Sequence, residues 1–261
     1  MNATPPPPAA QDTARPGDTR VVRRAALEFV VISVGVLAAL SADAGWGWFQ
    51  ERGDEREALA QLLSDFQANS AKLDSARWSN EASLDASYDL LALATGLGDG
   101  TAADRPDILL NEMLSVWTYN PDLGGLNSLI ASGRLGIIRD DRLRVALAAW
   151  PDLVEDLAEN EREEWDHSFE VLQPYFVDMG VRLDILRATE GLERIPPAET
   201  PPDVSAVLRD PRFAQMTAGR IRHLHDLLAE METVHRSIDE IIELLSGSDR
   251  PQTPVHPVDR P

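Results

Sequence analysis

Beyond residue 50 the chain places apolar residues three and four positions apart. From Glu51 to Thr95 there is no proline and one glycine, Gly53, while Leu59, Leu62, Leu63, Phe66, Leu73, Leu84, Tyr88 and Leu91 recur at helical spacing. This predicts one long amphipathic helix, ended by Gly96, Gly98 and Gly100. Pro106 opens a helix through Trp117, Gly124 and Gly125 mark a turn, and Leu126 to Ser132 is a short helix closed by Gly133. A helix from Asp140 to Leu172 follows, with Pro151 expected to bend or divide it. After Pro174 the pattern is less regular, and Pro196, Pro197, Pro201 and Pro202 make a connector. The cleanest stripe comes last, from Pro211 to Ser246, with Leu224, Leu228, Met231, His235, Ile238 and Ile242 as its packing seam. No period-two strand is present, so the fold class is all-α, an elongated helical bundle with long antiparallel helices. The two long stripes need cover, and each is the only partner of matching length. They are therefore expected to pack lengthwise, burying Leu228 and Ile242 and giving His235 an acceptor from the facing helix.

The N-terminal pattern is different, because Phe29 to Ala42 has no charge at all and Val30 to Leu40 is apolar on every face. From Ala25 to Phe49 the only charges are Glu28 and Asp43, and 25 helical residues reach about 37 Å, enough to cross a bilayer. Residues 24–49 are thus expected to form a transmembrane helix. Glu28 stands one turn after Arg24, and Asp43 stands beside Trp46 and Trp48, so both carboxylates fall near the interfaces. Arg23 and Arg24 precede the span, which places the N-terminus in the cytoplasm. Gly35 and Ala39 form a small-residue step that lets two helices approach, or that simply faces lipid. A cleaved signal peptide is the competing reading, with Ala42-Asp43-Ala44 as its cleavage site. Proline-rich residues 1–19 and 248–261 read as disordered tails flanking a helical extracytoplasmic domain at 50–247.

Charge sharpens this division. Residues 1–49 carry four basic and four acidic groups, whereas residues 50–261 carry 20 basic and 40 acidic ones and hold the entire net charge of -20. A field of that sign excludes nucleic acid as a partner of the folded part. The absence of cysteine excludes disulfides, thiol nucleophiles, iron–sulfur clusters and zinc–thiolate sites.

Two stretches resemble a known family. Leu27-Glu28-Phe29-Val30-Val31, Gly35 to Leu40, Asp43, Trp46 and Trp48 lead into Arg56, Leu59, Leu62, Asp65, Phe66 and Asn69; Leu129, Ser132-Gly133-Arg134-Leu135, Ile138-Arg139-Asp140 and Leu143-Arg144 form the second. Together they resemble an uncharacterised family of bacterial single-pass membrane proteins, a domain of unknown function, over a third of the chain. Where that family often has an asparagine before its tryptophan, Ala44 and Gly45 stand here. The resemblance implies an N-terminal anchor and a helical extracytoplasmic domain, and no catalytic residue.

Candidate chemistry is sparse. Glu164-x-x-His167 and Glu232-x-x-His235 have the spacing with which di-metal carboxylate bundles present two ligands per helix, and Asp65, Glu81, Asp85 and Glu112 are possible further donors. Chance supplies such a pair about once in an acid-rich chain with five histidines, and Glu163-Glu164 also reads as a solvated acidic face. For His235 the simpler reading is a polar seam residue that fixes register. His223 and His225 lie two apart, about 200° around a helix, and so on different faces. No phosphate loop, Gly-x-Ser-x-Gly elbow, zinc-protease motif or dinucleotide fingerprint occurs. The expectation is a protein without cofactor, more an interaction module than an enzyme, held in the bacterial inner membrane by one helix with its main domain in the periplasm. It would meet the bilayer, and itself or another envelope protein. A di-metal carboxylate protein and a regulatory or sensor subunit are the alternatives.

Overall fold

A computed structural model describes residues 18–98, 106–187, 189, 191–192, 194–196 and 203–248, without the side chains at 18–22, 25, 26, 40, 42–45, 47–49, 51 and 248. Among these residues every regular element is helical: α1 (Asp18–Thr95), α2 (Pro106–Met113), α3 (Gly124–Ala131), a 3-10 turn Arg134–Ile137, α4 (Asp141–Asp166), a π-helical stretch His167–Leu172, α5 (Gln173–Asp178), α6 (Arg182–Arg187), α7 (Val204–Arg209) and α8 (Pro211–Ser248). The fold is all-α. Two compact units divide the chain at residues 54 and 55.

In the first unit, Leu27, Phe29, Val30, Val31, Ile32, Val34, Val36 and Leu37 are all more than half exposed. Arg23, Arg24, Glu28, Gly35, Ala39 and Trp46 are exposed as well, while the side chains of Asp43 and Trp48 lie outside the described residues. Taken over the described residues, no helix is long and apolar enough to cross a membrane. The tails expected at 1–19 and 248–261 fall largely outside the described residues; residues 18, 19 and 248 belong to α1 and α8.

The second unit is built on α1 beyond residue 54, α4 and α8. Helix α1 ends where Gly96 takes a positive φ of 73°, so that its N–H and that of Leu97 reach back to the carbonyls of Leu93 and Ala92. Helix α4 starts at Asp140, whose carboxylate accepts from the N–H groups of Arg142 (2.9 Å) and Leu143 (3.1 Å). Pro151 neither divides this helix nor ends it: α4 continues through it to Asp166 and passes directly into the π-helical stretch.

Cross-links between side chains give the directions. Asp74 meets His235 (3.1 Å) and Arg77 meets Glu232 (2.9 Å), so α1 and α8 are antiparallel. Arg142 meets Glu240 and Glu163 meets His223, so α4 and α8 are antiparallel too. Phe66 packs edge-on to Trp150, ring centroids 5.0 Å apart, and Glu55 pairs with Arg139, so α1 and α4 run parallel. A parallel pair needs a return path, and residues 96–140 supply it.

Ile221 on α8 and Ala86 on α1 are buried beside the pattern and α4 skips a step between Trp150 and Leu157, but along all three helices the central buried positions recur three and four apart. On α8 these are Phe213, Thr217, Arg220, Leu224, Leu227, Met231, Val234, Ile238, Ile241 and Leu245. Leu224, Met231 and Ile238 stand where the sequence places them. Leu228, His235 and Ile242 do not: they are half-buried flanks, and Leu227, Val234 and Ile241 hold the centre. On α1 the seam is Leu62, Phe66, Asn69, Leu73, Ala76, Asn80, Ser83, Ser87 and Leu90. After Leu73 the expected stripe lies one residue off, on Leu84, Tyr88 and Leu91, because the true seam turns polar. A second apolar cluster joins Ala86 and Leu90 to α2, α5, α6, α7 and the start of α8, with Phe176 and Phe213 at its centre. Truncating Leu227 to alanine should cost about 2–5 kcal/mol, and truncating Leu228 distinctly less, as read from urea unfolding of the two variants.

Candidate functional site

Helix α2 ends at Met113, four residues short of the expected Trp117, and the chain continues without regular structure to Leu123. Such a segment cannot satisfy its own peptide groups, and it lies against three helices. Five side chains from those helices do it instead. Ser83 donates to the Met113 carbonyl (3.1 Å), Arg220 to the Ser115 carbonyl (2.9 Å) and Asn80 to the Trp117 carbonyl (2.8 Å). The Tyr119 N–H donates to Glu161 (2.6 Å). Asn69 closes the series with a reciprocal pair, donating to the Asp122 carbonyl (2.9 Å) and accepting from its N–H (2.7 Å). All five are seam residues and all are buried. Just beyond, Gly125 approaches α1 so closely that a Cβ there would stand 2.5 Å from Asp65 Oδ2.

At the centre of the clamp Arg220 also pairs with Glu164, both side chains being wholly buried, and donates to Ser83 Oγ (2.9 Å). Burial pushes the Glu164 carboxyl up to about 7, against the pull of Arg220, and lowers the Arg220 guanidinium. The guanidinium starts so far above physiological pH that it keeps its proton, and its contact draws Glu164 toward the anion. Glu161 has no cation to oppose its burial, only the Tyr119 N–H, and is likewise raised to about 7. Among the described residues Glu164 Oε2, Ser168 Oγ and Thr217 Oγ1 are buried without a hydrogen-bond partner, so the cluster holds its charge at a desolvation cost.

The outer side of the clamped segment forms one wall of a groove of about 340 Å³. Lys72, Ser75 and Ala76 of α1 face Trp117, Thr118 and Asn120 across it. Trp117 is half exposed, and Asn120 Nδ2 donates to Thr118 Oγ1 (3.2 Å), which ties the two polar residues together.

The Glu-x-x-His pairs of the sequence do not converge. Glu164 is held by Arg220, and His167 Nε2 lies 3.0 Å from the Met216 carbonyl with the His223 ring 5.1 Å away. Burial, with His223 and Arg220 beside it, lowers the His167 imidazole against the pull of the Met216 carbonyl. Glu232 pairs with Arg77, and His235 sits between Asp74 (3.1 Å) and Asp239 (3.3 Å). Along α8 the two groups are 12 residues apart, about 18 Å. The further donors are also placed elsewhere: Asp65 accepts from Gln61, Glu81 from Arg77, and Asp85 and Glu112 are exposed. Among the described residues no group of three His, Cys, Asp or Glu could hold a metal ion. His235 does meet an acceptor from the facing helix, Asp74, but from the half-buried flank and not from within the seam.

Asn80, Ser83, Glu161 and Arg220 belong to no motif of the sequence, and Asn69 stands out there only through the family resemblance. Their signal is positional: each is a polar residue standing at a three-four step where an apolar one is due. Comparison with protein-family models, with curated proteins and with solved structures gives no match.

Two predictions arise from the clamp. A carboxyl raised by folding contributes stability that is complete below its unfolded value and is lost as pH rises through the folded value. For Glu161 that window runs from 4.5 to about 7, with Glu164 acting in the same sense and His167, lowered, losing stability as pH falls. Unfolding free energies from urea titrations at pH 5 to 8 should therefore decline less in Glu161→Gln than in the parent, by on the order of 1–3 kcal/mol. Arg220→Met alone should cost about 3–5 kcal/mol by leaving Glu164 buried and unpaired, whereas Arg220→Met with Glu164→Leu should recover most of the loss in the same titration.

Proposed function

We propose that this chain is a single-pass, membrane-anchored helical module of the bacterial envelope, with residues 24–49 in the inner membrane, the N-terminus in the cytoplasm and the acidic unit in the periplasm. One observation carries the reading. Phe29, Val30, Val31 and Ile32 follow one another on a helix and so point in four directions about 100° apart, yet all are more than half exposed. A water-soluble helix hides such side chains on one face; one apolar all round needs an apolar surrounding, and a bilayer supplies it. Arg23 and Arg24 at its N-terminal end, with no arginine from 25 to 49, favour that orientation. The resemblance to a bacterial single-pass family agrees with this arrangement.

The second unit is proposed to act by binding, to a copy of itself or to another envelope component. Asn69, Asn80, Ser83, Glu161 and Arg220 serve the clamp, and its two Glu-x-x-His pairs have separate partners, which favours an interaction role over di-metal chemistry.

An alkaline phosphatase fused after residue 60 should be active, and the full chain should stay with membranes through alkaline extraction. Val34→Arg combined with Leu37→Arg should abolish that retention. An inactive fusion would refute the topology, and a mature protein beginning at Gly45 would show a released domain in place of an anchored one.

A further inference from the structure

Lys72 is the only lysine in the chain; the other 23 of its 24 basic side chains are arginine. It stands at the groove between α1 and the clamped segment. Among the described residues no carboxylate forms an ion pair with it. Around it the wall offers hydroxyl donors from Ser75 and Thr118, the amide of Asn120 and the half-exposed indole of Trp117, while Ala76 leaves room beside the ring. Thr118 Oγ1 already accepts from Asn120, which leaves its own proton free to donate. The set is therefore rich in donors, contains one compact cation and has one flat apolar face.

The support of this wall is the second, independent observation. Loops that bind are commonly held by a rigid scaffold, and here the carbonyl of Trp117 is fixed by Asn80 (2.8 Å) and the N–H of Tyr119 by Glu161 (2.6 Å). Trp117, Thr118 and Asn120 thus keep their positions without a ligand, which removes an ordering cost from binding.

We propose that this groove is a binding site for a small organic anion that carries a carboxylate next to a flat apolar face. The carboxylate pairs with the Lys72 ammonium and the Thr118 and Ser75 hydroxyls, and the flat face lies on Trp117. Two sources share that chemistry: an acidic sugar, whose ring C–H face stacks on indole, and an aryl acid. The inference concerns the second unit alone and stands whether or not residues 24–49 cross a membrane.

The single lysine makes the test selective. Reductive methylation with ¹³C-formaldehyde in detergent labels two amines of the full chain, the α-amino group and Lys72, and preserves both charges. Galacturonate and 4-hydroxyphenylacetate are titrated against the labelled protein, with galactose and 4-hydroxyphenylethanol as their neutral counterparts. A saturable shift of the Lys72 signal by either acid, at least tenfold weaker with its neutral counterpart and lost in Trp117→Ala, is the expected result. Which acid acts identifies the source. Equal response to acid and neutral compound would overturn the proposal, as would no response to either acid up to ~10 mM, well above a millimolar dissociation constant. A shift that survives unchanged in Trp117→Ala overturns it too, since Lys72 is then merely sensing ionic strength. Asn80→Ala provides a further readout: it removes no side chain of the groove but frees the Trp117 carbonyl, so it should weaken binding several-fold, and unchanged binding would overturn the claim that the wall is held ready from beneath.

Discussion

Everything in the helical unit turns on how a non-helical stretch can lie against three helices. Parallel α1 and α4 oblige the chain to come back, and it does so through a segment whose peptide groups have no ladder or helix to join. Left unpaired, each would cost as much as a lost buried hydrogen bond. The helices therefore give up apolar seam positions to Asn69, Asn80, Ser83, Glu161 and Arg220, and the segment gains partners at Met113, Ser115, Trp117, Tyr119 and Asp122. From this exchange follow the polar seam, the buried charge pair and the groove on the outer face.

That exchange also explains what could be read from the chain and what could not. The helix from Pro211 was legible in its extent, because apolar side chains fill eight of the ten seam positions from Phe213 to Leu245, but its face was legible only in part: Leu224, Met231 and Ile238 are central, whereas Leu228, His235 and Ile242 give way to Leu227, Val234 and Ile241. Its lengthwise pairing with α1 followed from the need to cover two long stripes, and the contacts Asp74–His235 and Arg77–Glu232 lie along that pairing. The stripe on α1 misled beyond Leu73, since Leu84, Tyr88 and Leu91 look more like a core than Asn80, Ser83 and Ser87 do. Hydrophobicity marks where water is excluded only when the neighbour is apolar; opposite a bare backbone, the buried residue must be polar. The same reasoning covers Trp117, read as helical from its surroundings and found on a segment that only long-range partners could define.

The charge pair at the centre has its own logic. Arg220 and Glu164 occupy seam positions on antiparallel helices and meet Ser83 of the third. A pair so deeply buried adds little to stability compared with hydrocarbon of the same size. Its effect is on register: sliding α8 by one heptad against α4 would strand a guanidinium and a carboxylate in the core, so only one alignment of three rather uniform leucine-rich faces is acceptable.

The antiparallel placement of α8 also sets an order of events during synthesis. Residues that pack side by side, such as Asp74 and His235, are separated by most of the domain, so the seam of α1 emerges from the ribosome long before its cover does. Contacts this distant in sequence form late, and the exposed stripe must meanwhile avoid pairing with other nascent chains. Asn69, Asn80 and Ser83 interrupt the stripe, leaving no long apolar surface for a second copy to grip. The residues that later clamp the return segment thus serve first as a safeguard for an unfinished chain, and a transcript truncated before α8 yields a product with no means of closing.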